Sequence, residues 1–212
     1  MSLSLILRFL VFIWVLFIVA SPPAFADRTS QQFKLCVSCH GPNGSGDQSV
    51  AAPTIAGLPA WYVEIQLKKF IDGSRGGHPK DIIGMRMRPM ARTLKTEEDI
   101  KAMSEYVAKL PRPKSLPDTI KGGVWPKGEK KFVVCVACHG QKAEGNQQVG
   151  APPISMMNDW YVMHQLQNFK NKIRGYDVEK DPLGVGMAAM AAGLDEKSMK
   201  DIIAYLKVIN EE

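Results

Sequence analysis

The chain has 212 residues, is 45% hydrophobic and 23% charged, and carries a formal net charge of +6. Beyond its N-terminus it holds no second apolar run long enough to cross a bilayer, which excludes a multi-span membrane protein. All four cysteines fall in two short motifs with trailing histidines, a poor match to a disulfide framework.

Residues 1–26 read as a signal peptide that is cleaved rather than retained as an anchor. Arg8 is a short positive region, Phe9 to Ala20 is an unbroken run of 12 apolar residues, and Ala24-Phe25-Ala26 is a small-x-small cleavage site. As a helix that run is about 18 Å long, against a hydrocarbon core of about 30 Å. An exported protein follows. The remainder, from Asp27, is too long for one small domain and suits two of about 90 residues.

The first element of that remainder is a helix with Phe33, Cys36 and Val37 on one face. It leads into Cys36-Val37-Ser38-Cys39-His40, and the same pattern returns as Cys135-Val136-Ala137-Cys138-His139. C-x-x-C-H is the attachment site of c-type haem. Two thiols three positions apart reach the two vinyl groups on one edge of a porphyrin, and the next residue sets an imidazole under the iron. A redox dithiol or half of a zinc site would not need a histidine after each second cysteine. Two covalently bound haem c groups are therefore expected, with Cys36, Cys39, Cys135 and Cys138 as tethers and His40 and His139 as metal ligands.

A Gly/Pro-rich loop follows over 41–59. Pro53 lies in it, placed to fix a carbonyl that would accept the second N–H of the ligating imidazole. A helix carries Val63, Leu67 and Phe70 at i, i+4 and i+7. Trp61 and Tyr62 at its start would pack on the haem, cap its propionates or fill the core. Next comes a loop with Met85, Met87 and Met90. Thr96 to Asp99 resembles a capping box and opens a helix with the stripe Ile100, Met103, Val107 and Leu110.

The connector, 111–127, is rich in proline and glycine. The pattern then repeats at an offset of 99 or 100 positions. Pro53 maps to Pro152, Trp61-Tyr62 to Trp160-Tyr161, Gln66-Leu67 to Gln165-Leu166, Arg75-Gly76 to Arg174-Gly175, and Met87 to Met187. The closing stripe is Met199, Ile202, Ile203, Leu206 and Ile209. Domains are thus expected at 27–110 and 128–212, both all-α, since Val-x-Val alternation is scarce. The glycine at 128 has no counterpart in the first half, where the start of the first helix is less defined.

For the second axial position, Met87 and Met187 occupy matching places, with Met90 and Met190 as duplicated alternatives. Met85 has no partner. His78 and His164 match Asp177 and Ile65, so a bis-histidine arrangement would not be duplicated. A thioether favours ferrous iron and raises the potential.

The doubled motif, the Tyr-x-x-x-Gln-Leu helices from Tyr62 and Tyr161, the Met-x-x-Met segments and the closing helices resemble class I cytochromes c. They most resemble the two-domain, two-haem type called cytochrome c4. That resemblance implies two similar domains related by a pseudo-two-fold axis, with haem edges near their interface. It implies Met87 and Met187, the first methionine of each segment, as ligands. It implies a periplasmic electron carrier, free or held at the inner membrane, passing electrons from respiratory donors to a membrane-bound terminal oxidase or reductase.

Residues 27–121 hold 15 Lys/Arg and 10 Asp/Glu, and residues 122–212 hold 11 of each. Arg86, Arg88 and Arg92 crowd the first methionine segment, whereas 184–194 has no charge. An acidic redox partner docking on the first domain is expected, and no nucleic acid. Two alternatives stand beside a free carrier. One is an electron-transfer subunit of a dehydrogenase or oxidase, which a large apolar patch outside the haem crevices would favour. The other is a catalytic di-haem cytochrome, which would need an open axial position and an acid/base group above it.

Overall fold

The computed structural model describes residues 24–211. The signal segment up to residue 23 lies outside them, and Ala24-Phe25-Ala26 falls in the first turn of the first helix. The first half contains α1 (Ala24–His40), α2 (Ala60–Asp72), α3 (Ile82–Ala91) and α4 (Glu97–Lys109). The second contains α5 (Trp125–His139), α6 (Asp159–Lys170), α7 (Pro182–Ala192) and α8 (Glu196–Glu211). Among the described residues there is no strand, only two isolated bridges, Asp47 with Ala52 and Asn146 with Ala151. No helix among them is long and apolar enough to cross a membrane.

Each half packs its closing helix against its first. The expected stripes are the buried ones: Ile100, Met103 and Val107 in α4, and Met199, Ile202, Ile203 and Leu206 in α8. Phe33 and Phe132 face them from α1 and α5. Each fully buried side chain of this kind contributes about 2 kcal/mol. Thr96 caps α4, its hydroxyl accepting from Asp99 N at 3.1 Å. The return bond of a capping box is displaced by one residue, because the Asp99 carboxylate accepts from Lys95 N at 3.2 Å.

Three expectations need correction. The two methionine segments are helices, α3 and α7, not loops. Asp81 and Asp181 cap them by accepting from Gly84 N at 2.9 Å and Gly184 N at 2.8 Å. These caps satisfy first-turn N–H groups and offset the modest propensity of glycine-containing segments. The connector is also shorter than expected. α5 starts at Trp125, with proline in its first turn, where a missing N–H costs nothing. Gly128, assigned to the start of the second domain, is inside that helix. A Cβ there would lie 1.9 Å from Asp201 O, so glycine lets α5 and α8 approach closely. Thr29 holds the matching position in α1, and α1 packs along α4 less extensively than α5 along α8.

Gly128→Ala should add about 1 kcal/mol of helix propensity and lose about 3 kcal/mol to overpacking against backbone. The expected net is a destabilisation of about 2 kcal/mol, read as a lower urea midpoint by circular dichroism.

Candidate functional site

α1 and α5 each end at the histidine of the motif. The chain then turns sharply. Gly46 N donates to His40 O and Gly145 N to His139 O, both at 2.8 Å. Gly46 and Gly145 have φ of +81° and +83°, and a Cβ on them would sit 2.5 Å from Thr54 N and 2.6 Å from Pro153 N. Only glycine permits that left-handed turn and that approach. The loop so folded brings a proline carbonyl to each imidazole. His40 Nδ1 lies 2.8 Å from Pro53 O, and His139 Nδ1 lies 2.9 Å from Pro152 O.

A carbonyl can only accept, so Nδ1 carries the proton and the lone pair is on Nε2. Burial pushes both histidines below the ordinary imidazole value, with the carbonyl bond opposing it. Both imidazoles are therefore neutral and oriented, the state a metal ligand requires.

His40 opens onto a deep, almost wholly apolar cleft. Cys36, Cys39, Pro53, Tyr62, Met87 and Met90 also line it. The thiols are free of disulfides. Burial pushes the Cys36 thiol up to about 11, and Cys39 beside it adds to the effect; burial likewise raises Cys135. A redox dithiol or thiolate zinc site needs the opposite shift, so this environment suits neutral sulfurs committed to thioethers.

Met87 lines the cleft from α3, and Met90 lines it one turn on. In the second half the pair separates: Met187 packs into both core clusters, while Met190 is 50% exposed. His78 packs edge-on against Tyr176 at 5.5 Å, and His164 bonds Asn168 at 3.1 Å; neither lines the cleft. Trp61 does not line it either. It packs edge-on against Tyr62 at 5.8 Å, as Trp160 does against Tyr161 at 5.9 Å. Neighbouring helical residues point about 100° apart, so only one of each pair can face inward, and in the first half it is the tyrosine.

The first cleft borrows a wall from the other half: Met157, Tyr161 and Gln165. Where the halves meet, two guanidiniums are buried together. Arg75 donates to Gln66 Oε1 at 2.7 Å and to the Tyr161 hydroxyl. Arg174 donates to Gln165 Oε1 at 2.8 Å and across to Gln66 Oε1 at 2.9 Å. Burial, and then Arg75, push Arg174 below its ordinary value. Its Nε is buried with no hydrogen-bond partner. Two cations share one neutral acceptor, and among the described residues neither has a carboxylate within ion-pair distance, Asp81 and Asp181 acting only from farther off; burying a charge without a close partner is costly. The carboxylates of haem propionates are groups of the required charge. Neutral imidazoles, uncharged thiols, an apolar cleft and unmet cationic donors together fit haem c.

Sequence reading identified the duplicated Arg-Gly and Gln-Leu pairs but gave them no role. It also missed Asn158, whose Oδ1 accepts from Thr54 N at 2.7 Å and so braces the loop of Pro53 from the other half. No repeat signals that brace, because Thr54 matches Pro153, which has no N–H.

A cytochrome c family model matches residues 26–111 and again 126–210. The thiosulfate dehydrogenase electron acceptor of Thiomonas intermedia is 28% identical, over 88% of this chain and 80% of the relative. The cytochrome c4 structure of Acidithiobacillus ferrooxidans aligns at 26% identity with a TM-score of 0.66, over 82% of this chain and 98% of that one. The reduced cytochrome c4 of Pseudomonas stutzeri, at 24% identity and TM-score 0.66 over 86% and 97%, has the same fold.

Arg75→Met removes a buried cation that opposes the ferric state. One reduction potential should fall, on the order of 50 mV, in a spectroelectrochemical titration, with the other moving less.

Proposed function

The chain belongs to the cytochrome c family, as two tandem all-α domains of the di-haem cytochrome c4 type holding two covalent haem c groups, and we propose that it is a periplasmic carrier between respiratory donors and a membrane-bound oxidase or reductase. Each haem, when bound, supplies one-electron exchange between ferrous and ferric iron. The domains we assign run from 27 to 110 and from the start of α5 to 212, after a cleaved leader.

The reading rests on the duplicated carbonyl-held imidazole over an apolar cleft. Cys36, Cys39, Cys135 and Cys138 tether the two macrocycles. His40 and His139 offer neutral Nε2 lone pairs of fixed direction. Met87 and Met187 offer neutral thioethers from α3 and α7. With both axial positions filled, no substrate reaches the metal, which favours a carrier over a catalytic cytochrome. Arg75 and Arg174 hold anionic groups at the interface, and the apolar lining keeps water out.

Around the first cleft, exposed Leu35, Val50, Ile82 and Met85 give an apolar contact face. Arg86 lies over it, donating to Val50 O at 3.4 Å, and Arg92, past the other end of α3, is bonded to Ile71 O. Arg88 leaves this rim. It turns onto Gly73, with its Nε buried. In the second domain Gly186 replaces Arg86, beside exposed Val134, Val149 and Leu183. A cationic first face and a neutral second face suit entry and exit of electrons at different ends, with the acidic partner on the first domain.

A second reading, an electron-transfer subunit of a dehydrogenase or oxidase, is favoured by exposed Val133 and Trp125 on α5, at 65% and 48%. Purification from membranes distinguishes them: a carrier elutes free, and a subunit elutes with its complex.

Met187→Ala should let the ferrous protein bind carbon monoxide at about one haem per chain, whereas Met190→Ala should bind none. The reverse result would move the ligand. In stopped-flow oxidation by ferricyanide, the rate should fall about tenfold between low and ~0.5 M salt, and Arg86→Glu should flatten that dependence more than Arg88→Glu. A rate independent of salt would remove the cationic docking face.

A further inference from the structure

Lys69 belongs to α2, in the first domain, yet its charge is used in the second. Its Nζ lies 2.6 Å from Asp181 Oδ1, and the two side chains are 16% and 1% exposed. Asp181 is the cap of α7: the same oxygen accepts from Gly184 N at 2.8 Å, three residues before Met187. The other oxygen, Oδ2, is buried without a partner. A Cβ on Gly184 would lie 2.1 Å from it, so cap and first turn are in close contact and move together.

The duplication supplies an internal comparison. Asp81 caps α3 in the same manner, accepting from Gly84 N at 2.9 Å and Gly76 N at 3.2 Å. The position matching Lys69 is Asn168, whose amide turns to His164. Among the described residues Asp81 makes no ion pair. One methionine helix is therefore anchored by a direct ion pair with a cation from the opposite domain, whereas the cap of the other meets Arg75 and His164 only at longer range.

Removing one partner of a buried ion pair leaves an uncompensated charge and costs far more than an exposed pair is worth. Without Lys69 the Asp181 carboxylate loses its only close cation, leaving Arg174 at longer range, and drawing in water to replace it weakens its grip on Gly184 N. The first turn of α7 then frays, and Met187 lies on the next turn. We propose that Lys69 is a positioning residue for the second haem, fixing through Asp181 the N-terminal turn of α7 and with it the thioether of Met187. This rests on the reading of Met187 as a ligand. It makes the second haem's methionine dependent on docking of the first domain, with no matching ion pair among the described residues in the other direction.

Proton NMR of the ferrous holoprotein separates the two sites, because a methionine methyl held against a porphyrin is shifted far upfield by the ring current. The wild-type protein should give two such resonances, of which Met187→Ala removes one and thereby identifies it. Lys69→Met should lose that same resonance and bind carbon monoxide at about one haem per chain, leaving the Met87 resonance in place. Lys69→Arg, and the double variant Lys69→Met with Asp181→Asn, should keep both. Should Lys69→Met not accumulate, Lys69→Gln should lose the Met187 resonance at a lower temperature than the Met87 resonance. Retention of both resonances in Lys69→Met or Lys69→Gln, to the same temperature as wild type, would overturn the proposal. A wild-type spectrum without two upfield methyls would instead overturn the ligand reading beneath it.

Discussion

In each domain a proline carbonyl accepts a hydrogen bond from a buried imidazole, and the rest of the architecture is arranged so that this bond can form. The first helix must end at the histidine. The loop must reverse at once through a left-handed glycine. The proline must lie 13 residues on, with its carbonyl aimed back at the ring. The bond settles the tautomer, and burial keeps the ring neutral. Covalent attachment through the two nearby cysteines would then leave a macrocycle one orientation relative to that ring.

The second constraint acts between domains. The two domains meet through buried polar groups on and around α2 and α6. Arg75 reaches Tyr161, Arg174 reaches Gln66, Lys69 reaches Asp181, and Asn158 reaches Thr54. Buried polar contacts of this kind fix one relative placement more strictly than apolar burial does, because an unmet donor or charge is expensive. Two redox centres that exchange electrons would need a fixed separation, which an interface of this kind would hold. The interface is also where the duplication breaks: Lys69 matches Asn168 and Thr54 matches Pro153. Each half thus relies on the other through different residues.

Much of this was legible before any coordinates. The doubled pentapeptide pointed to the histidines that the structure buries against proline carbonyls, and helical spacing pointed to the buried stripes of α4 and α8. Pro53 and Pro152 could be placed because the second nitrogen of a ligating histidine needs an acceptor. What escaped reading depended on contacts between distant segments. Arg75 and Arg174 looked like ordinary basic residues next to turn glycines, and nothing local says that both are buried on one glutamine. The methionine segments read as loops because glycine and proline depress helix propensity. The caps Asp81 and Asp181, each three residues before a glycine, were the overlooked signal. Trp61 drew attention by size, whereas the inward position fell to Tyr62. Arg88 looked like part of a charged rim, and only packing against Gly73 removes it.

The account stands on imidazole and thioether as the axial pair at both metals. Near-infrared magnetic circular dichroism of the fully oxidised protein tests this most directly, because it reports axial ligands by charge-transfer energy. Two low-spin ferric centres, both with the histidine–methionine signature, are predicted. A bis-histidine or high-spin signal from either centre would contradict the account.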